Sequence, residues 1–114
     1  MGFTPPASFR EIAAVRVPEG DHVGIRLSYS DTAGRRLHFT AGIAGEFAEG
    51  GRSVGMYEIA SNGQGQLFAT GGATWVLVWQ GPPPCATHTV AGNGFSRGEF
   101  LRTMIRSGVI ASID

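Results

Sequence analysis

Cysteine and histidine are the residues of this chain best suited to covalent chemistry, and there are few of them. The sequence holds one cysteine, Cys85, and three histidines, His22, His38 and His88. Cys85 and His88 are three positions apart in a segment with strand character, where such residues point to opposite faces. A nucleophilic thiol needs its base within hydrogen-bond distance, so we expect Cys85 to be a small buried side chain and not a catalytic one.

A metal site would require neighbouring strands to bring the histidines together on one face. His22 and His38 fall on two strands joined by a hairpin, but the expected register places His38 opposite residues 25–27 and not opposite His22. The nine carboxylates are scattered, without the spacing of a shared acid–base pair. We therefore predict no metal, no cofactor and no enzymatic activity. A hydrolase or transferase built on Cys85 and His88 is the least favoured alternative.

Two glycine-rich segments could suggest phosphate binding by a loop. They are Gly63-Gln64-Gly65 and Gly92-Asn93-Gly94, and the second precedes a predicted helix. The chain contains no lysine, so neither segment has the phosphate-loop pattern. Turn glycines are the favoured interpretation.

Aromatic side chains form the most interesting binding surface that the sequence suggests. Trp75, Trp79, Tyr57 and Phe68 are the candidate ligand or partner surface, as the lining of a pocket beneath a sheet. Aromatic residues in a small domain belong to the core in most cases. Both interpretations stay open from the sequence.

Charge and composition narrow the classes of partner. All nine basic residues are arginine, they balance the nine acidic ones, and only Arg35 and Arg36 are adjacent. We therefore expect no nucleic-acid partner and no binding to an anionic membrane surface. The chain has neither a signal peptide nor about twenty consecutive apolar residues, so we expect it to be soluble and to attach to a membrane only through a span absent from it. Neither the oligomeric state nor the identity of a protein partner follows from the sequence.

The elements that must position these residues are mostly strands. The chain has 114 residues, a length that fits one domain over residues 1–114, and 18 glycines and six prolines separate short segments of alternating apolar residues. A loop is predicted from Ala41 to Arg52, where Ile43 and Phe47 are the large apolar residues. The predicted strands are Ile12–Val17, His22–Ser30, 36–40, Ser53–Ala60, Gln66–Thr70, Thr74–Gln80 and Cys85–Ala91.

A single helix is predicted to begin after Ser96. Ser96 and Glu99 have the spacing of a capping box, and Gly108 is placed to end the helix. The apolar stripe is Phe100, Leu101, Met104 and Ile105, with Arg102 and Arg106 facing water. The segment Thr74–Gln80 is apolar on both sides, so we expect the helix to cover the face opposite Trp75 and Trp79. The predicted fold is α+β, an antiparallel sheet of about six or seven strands with one C-terminal helix packed on one face.

These segments together resemble one bacterial family. The segments that carry the resemblance are Pro5-Pro6, Val17–Gly20, Val23–Asp31, Leu37–Phe39, Trp75–Trp79, Thr87–Gly92 and Phe95–Ser107. The family is a domain of unknown function found in the extracytoplasmic regions of membrane-anchored anti-sigma factors and of some lipoproteins and secreted proteins. The chain departs from the family pattern at Pro82-Pro83-Pro84 and Cys85-Ala86.

The resemblance implies a function without supplying catalytic residues. It implies a non-enzymatic extracytoplasmic module, regulatory or sensory, that interacts with a protein and belongs to a larger membrane-anchored protein. The alternative is a small-ligand or lipid-binding domain that uses an aromatic pocket near Trp75 and Trp79.

Overall fold

The protein folds into a seven-stranded antiparallel sheet followed by one helix. The computed structural model describes residues 3–19, 22–42, 51–60, 63–81 and 87–111. The strands are β1 (Arg10–Glu19), β2 (His22–Ser30), β3 (Arg36–Ala41), β4 (Arg52–Glu58), β5 (Gln64–Gly71), β6 (Thr74–Gln80) and β7 (Thr87–Asn93), and the helix is α1 (Arg97–Arg106). The predicted fold class is confirmed.

The strands are arranged as two meanders joined at the centre of the sheet. Their order is β1-β2-β3-β7-β6-β5-β4, and each neighbouring pair is antiparallel. β3 and β7 form the junction, so β4 lies at the edge far from β3 although it follows β3 in the chain. Ile43, Phe47, the proline run 82–84 and Cys85 lie outside the described residues, and the predictions on them are not addressed by the structure.

Each strand of the sheet contributes to an inner and an outer face. The inner face carries Leu37, Phe39, Leu67, Leu77 and Val90, each at most 1% exposed. The alternation predicted for His22–Ser30 is present, because Tyr29 is buried and Ile25 and Leu27 pack against the core, whereas Val23 at the strand start is 52% exposed.

The helix covers the inner face, which is also the face that carries both tryptophans. A Cβ on Gly92, the residue paired with Trp75, would lie 2.6 Å from the ring of Phe100 in α1. The prediction that the helix lies opposite Trp75 and Trp79 is therefore wrong. Val76 is on the outer face and is 0% exposed because Phe68 and Ala91 flank it on the neighbouring strands. A strand can therefore be apolar on both faces although a helix covers only one of them, because side chains on the neighbouring strands can bury the other.

The helix begins and ends near the predicted positions. Ser96 is the N-cap, and its hydroxyl accepts from the Glu99 amide while the Glu99 carboxylate accepts from the Ser96 amide, so the capping box is confirmed. Gly108 follows the C-cap Ser107 with φ +76°, a conformation that favours glycine. Phe100, Leu101 and Met104 are buried as predicted, but Ile105 is 36% exposed and Thr103 takes its place in the buried stripe.

Candidate functional site

Both tryptophans of the predicted aromatic surface are held in the packing of the inner face. The Trp75 indole Nε1 donates to the Phe95 carbonyl oxygen at 2.9 Å. Trp79 is 9% exposed, and its ring stacks on that of His88 with centroids 5.5 Å apart and planes 12° apart. Hydrogen bonding and stacking thus tie both indoles to neighbouring strands and to the segment before α1.

Tyr57 and Phe68 lie on different faces of the sheet. Tyr57 pairs with Gly65 on the inner side, and its hydroxyl accepts from Arg97 Nη2 at 2.8 Å. Phe68 pairs with Val76 and is half-buried on the outer side. The four predicted residues therefore do not line one common surface, and Phe68 is the one whose side chain belongs to the outer face.

A shallow groove on the outer face of β4, β5 and β6 collects apolar side chains around Phe68. We call it the outer groove. It has a volume of about 330 Å³. Met56, which is 54% exposed, lies in one cross-strand row with Gln66 and Val78. The residues that line the groove are Met56, Gln64, Gln66, Phe68, Val78, Trp79 and Gln80.

The outer groove combines apolar side chains with the amides of three glutamines, one of which, Gln66, lies between Met56 and Val78. Every described residue that lines it is uncharged. The Gln66 amide donates to Ser53 Oγ at 2.8 Å, which holds one wall in place. The sequence contained a signal for this surface, since Val78 lies on the side of its strand opposite Trp75 and Trp79. Met56 could not be chosen without the register of β4 against β5, which is shifted between Ser53 and Gly55.

The histidines do not come together in the described part of the chain. His38 is on the outer face, where Nδ1 lies 2.8 Å from Ser28 Oγ, one position beyond the predicted residues 25–27. His88 is buried on the inner face against Trp79 and Phe39. The His22 side chain and Cys85 are outside the described residues. Among the residues described, no group of three or more His, Cys, Asp or Glu side chains could hold a metal ion.

Burial and neighbouring charge act on the His38 imidazole together. Desolvation lowers its pKa below the usual 6.5, and the guanidinium groups of Arg36 and Arg26 lower it further. His38 is therefore a proton acceptor that is weaker than a histidine in water. Its position beside Ser28 gives a hydrogen-bonded pair on the outer face.

Comparisons with protein-family models, with curated proteins and with solved structures found no match to this chain. None of the helices that the structure describes is long and apolar enough to cross a membrane.

Proposed function

We propose that this protein is a non-enzymatic interaction module that binds a protein partner through the outer groove. The single observation that carries the proposal is an open depression without charged lining residues, in which Met56, Phe68 and Val78 lie beside glutamine amides. Protein interfaces are depleted of charge at their centre and enriched in aromatic residues and methionine, as the outer groove is with Phe68 and Met56. Its three glutamines, Gln64, Gln66 and Gln80, supply hydrogen-bond donors and acceptors.

The structure of the groove supports recognition of an extended or flat partner surface. Phe68 and Val78 are half-buried while Met56 is largely exposed, so the floor is fixed by the sheet and one wall can adapt. Methionine is flexible and polarizable and is common at such surfaces. A regulatory or sensory role outside the cytoplasm, within a larger membrane-anchored protein, is the part of the proposal that rests on the family resemblance.

Site-specific photo-crosslinking in the native gene product tests the groove. A photoreactive phenylalanine analogue at position 56 should give one discrete adduct in the cells from which the gene comes. The same analogue at Val23, which is 52% exposed and lies on the inner face at a distant part of the sheet, is the control and should not give that adduct. Val78→Glu should remove the adduct at position 56 because it places a charge in the centre of the groove. Equal adducts from positions 56 and 23, or no adduct at 56, would contradict the proposal.

A reporter fusion tests the proposed location separately. Alkaline phosphatase depends on disulfides that form outside the cytoplasm. When alkaline phosphatase is fused to the C-terminus of the native gene product, the phosphatase should be active in intact cells. An inactive phosphatase with full-length fusion protein present would place the module in the cytoplasm and remove the anti-sigma context without affecting the groove.

A small apolar ligand is the second candidate for the same groove. A volume of about 330 Å³ falls at the lower end of the range for ligand pockets, and Trp79 borders it. Titration with a panel of metabolites and lipids, followed by tryptophan fluorescence, distinguishes the two candidates. A saturable spectral change that Val78→Glu removes would favour the ligand, and unchanged spectra throughout the panel would exclude it.

A further inference from the structure

A second concave site lies between the N-terminal segment, the β2–β3 hairpin and α1, on the side of the molecule that carries the helix. We call it the arginine pocket. It has a volume of about 180 Å³, far above the roughly 10–15 Å³ that one water molecule requires. Its lining residues are Pro6, Ser8, Phe9, Arg35, Glu99, Arg102, Thr103 and Arg106. Three guanidinium groups and one carboxylate therefore surround one small space, which leaves two net positive charges among the lining residues.

Arg35 is fixed in this pocket by contacts on three sides. Its Nε donates to Asp31 Oδ2 at 2.7 Å, and the Asp31 side chain is only 3% exposed. Asp31 Oδ1 also accepts from the backbone amides of Ala33 and Arg35 at 3.0 and 2.9 Å, which ties the hairpin to the same carboxylate. The guanidinium carbon lies 5.1 Å from the Phe95 ring centroid and 5.7 Å from that of Phe9. The position of Arg35 is thus set before any ligand arrives.

Asp31 remains ionised as the partner of Arg35. Burial by itself opposes its charge, but the hydrogen bonds from the Arg35 side chain and backbone outweigh burial and hold the pKa of Asp31 below its usual 3.8. The pair therefore stays intact across the neutral range. Asp31 binds Arg35 through Nε, so the two terminal nitrogens of the guanidinium group can bind other partners. One of them, Nη1, lies 4.0 Å from Glu99 Oε2.

Arg102 and Arg106 add two cations, which share the lining with a single carboxylate, Glu99. Both are exposed and lie one turn apart on α1. Within the described residues neither makes a hydrogen bond or a salt bridge, and like charges at this spacing destabilise a helix slightly. An anion bound between them would remove that repulsion. Arg106 in the last turn also interacts favourably with the helix dipole.

We propose that the arginine pocket binds a phosphate group, as the free dianion or as the terminal group of a phosphate monoester. Guanidinium groups bind phosphate through paired N–H donors, and the pocket keeps an excess of positive charge even when Asp31 is counted with its partner Arg35. Ser8 is also a lining residue and carries a hydroxyl that can donate. The pocket opens to solvent, so it takes the phosphate and leaves the rest of a larger molecule outside. This inference is independent of the outer groove, which lies on the opposite face of the sheet.

Titration with inorganic phosphate, followed by amide chemical shifts in two-dimensional NMR spectra, tests the proposal directly. Saturable shifts are expected for Ser8, Arg35 and the last two turns of α1. Arg102→Gln/Arg106→Gln should weaken binding by about tenfold or more, because each arginine supplies charge-assisted hydrogen bonds. The matched control is Arg16→Gln/Arg52→Gln, which removes the same charge from exposed positions on β1 and β4 and should change the affinity little.

A variant that should bind phosphate more tightly distinguishes a phosphate-binding site from a group of charged side chains that only stabilise the fold. Glu99→Gln keeps the capping interaction with Ser96, since glutamine serves at this position as well, but removes the one carboxylate of the pocket. Phosphate affinity should rise about two- to fivefold. No saturable shift with phosphate, equal weakening by the control pair, or no gain with Glu99→Gln would each overturn the proposal.

Further titrations identify the source of the phosphate. Glycerol 3-phosphate represents a soluble monoester, and phosphatidylcholine vesicles with and without phosphatidic acid represent a lipid headgroup. Binding of glycerol 3-phosphate that the double variant weakens supports a soluble ligand. If the protein also binds the vesicles that contain phosphatidic acid, and Arg102→Gln/Arg106→Gln weakens that binding, the result supports a lipid headgroup as the ligand. Vesicle binding without any response to the soluble phosphates would contradict the pocket, because it would reflect general surface charge.

Discussion

The imidazole of His38 couples the stability of the protein to pH. Its pKa in the folded chain lies below the usual 6.5, first because burial disfavours the cation and then because Arg36 and Arg26 repel it. The unfolded chain therefore takes up this proton at a higher pH than the folded chain does. The contribution of neutral His38 to stability is complete above about pH 7 and is lost as the pH falls through the folded pKa.

His38→Gln should flatten this dependence. Glutamine keeps a hydrogen-bonding group near Ser28 but does not titrate, so the free energy of unfolding should fall less between about pH 7.5 and 5 than in the parent protein. Urea unfolding at a series of pH values measures the difference between the two slopes. Parallel profiles for parent and variant would show that His38 is protonated equally in both states.

Two threonine hydroxyls at the centre of the outer face are buried without a hydrogen-bond partner. Thr40 and Thr89 are paired across β3 and β7, each is 0% exposed, and neither Oγ1 has a partner in the structure as described. A buried hydroxyl left without a partner costs on the order of 1–3 kcal/mol. Most buried polar groups in folded proteins have a hydrogen-bond partner, so these two hydroxyls are exceptions.

Thr89→Val should stabilise the protein by about 1 kcal/mol, because valine fills the same space without the hydroxyl. The control is Thr103→Val. Thr103 is also buried, but its hydroxyl donates to the Glu99 carbonyl at 2.8 Å, so this change should destabilise by about 0.5–1.5 kcal/mol. Chemical denaturation of both variants gives the comparison. Loss of stability in Thr89→Val would mean that its hydroxyl is satisfied in solution.

At the scale of elements, the contact between β7 and α1 depends on the absence of a side chain at Gly92. A Cβ there would lie 2.6 Å from Phe100 Cδ1 and 2.7 Å from Cε1, and the Phe100 ring is fully buried. The ring also packs edge-on against Phe95, with centroids 5.9 Å apart. Both rings are buried, Phe95 at 1% and Phe100 at 0% exposed, so neither is at the surface where it could turn into solvent.

Gly92→Ala should therefore destabilise the protein by roughly 1–3 kcal/mol through overpacking. Gly98→Ala is the matched control in α1. There the nearest atom to a new Cβ is the mobile end of Arg102 at 3.3 Å, and alanine gains up to about 1 kcal/mol of helix propensity. Thermal unfolding should move in opposite directions for the two variants. A rise in the melting temperature of Gly92→Ala would show that the helix is not seated on β7 as described.

The sequence predicted the elements better than the way they pack. Alternation and turn residues were sufficient for the strands, and the Ser96–Glu99 spacing was sufficient for the start of α1, because these are local signals. The face that α1 covers could not be predicted, because Trp75 and Val76 are both apolar and the small residue that admits the helix, Gly92, is on another strand. That assignment requires the register between β6 and β7.

The candidate surfaces were still harder to predict, because each is assembled from distant segments. Phe68 was identified from the sequence, whereas Met56 joins it only through the shifted register of β4. The arginine pocket combines residues 6–9, the β2–β3 hairpin and α1. From the sequence, Arg35 stood out only as the neighbour of Arg36, and Arg102 and Arg106 only as the water-facing side of the predicted helix. Their convergence is a property of tertiary structure that no local pattern contains.

At the scale of the whole molecule, the two edges of the sheet are protected in different ways. The C-terminal end of β4 is covered by its own chain, since the Ala60 amide donates to the Val109 carbonyl at 2.8 Å and the Ala111 amide to the Glu58 carbonyl at 2.9 Å. β1 has one neighbour, β2, and its side chains are exposed from Arg10 to Arg16. An open edge of this length is a template for pairing with another chain.

Charge and irregularity protect β1 in place of a covering segment. Glu11 and Arg16 place charges along the strand, the ladder is interrupted between Glu11 and Ala13, and Pro18 lacks an amide donor. Ile12 and Val15 are nearly half exposed, at 48% and 47%, so the apolar content needed for self-association is already present. The charges therefore carry much of the protection.

Glu11→Val/Arg16→Val should make the protein self-associate, because it leaves the net charge unchanged and converts β1 into a continuous apolar edge with high strand propensity. Sedimentation velocity over a wide range of concentration should show species larger than those of the parent chain. The control is Glu58→Val/Arg102→Val, which makes the same exchange on β4, where the C-terminal segment covers the edge, and on α1. If the control pair associated as strongly as the β1 pair, general surface hydrophobicity and not the open strand would be responsible. If neither pair associated, the bulge and Pro18 would be sufficient to protect the edge.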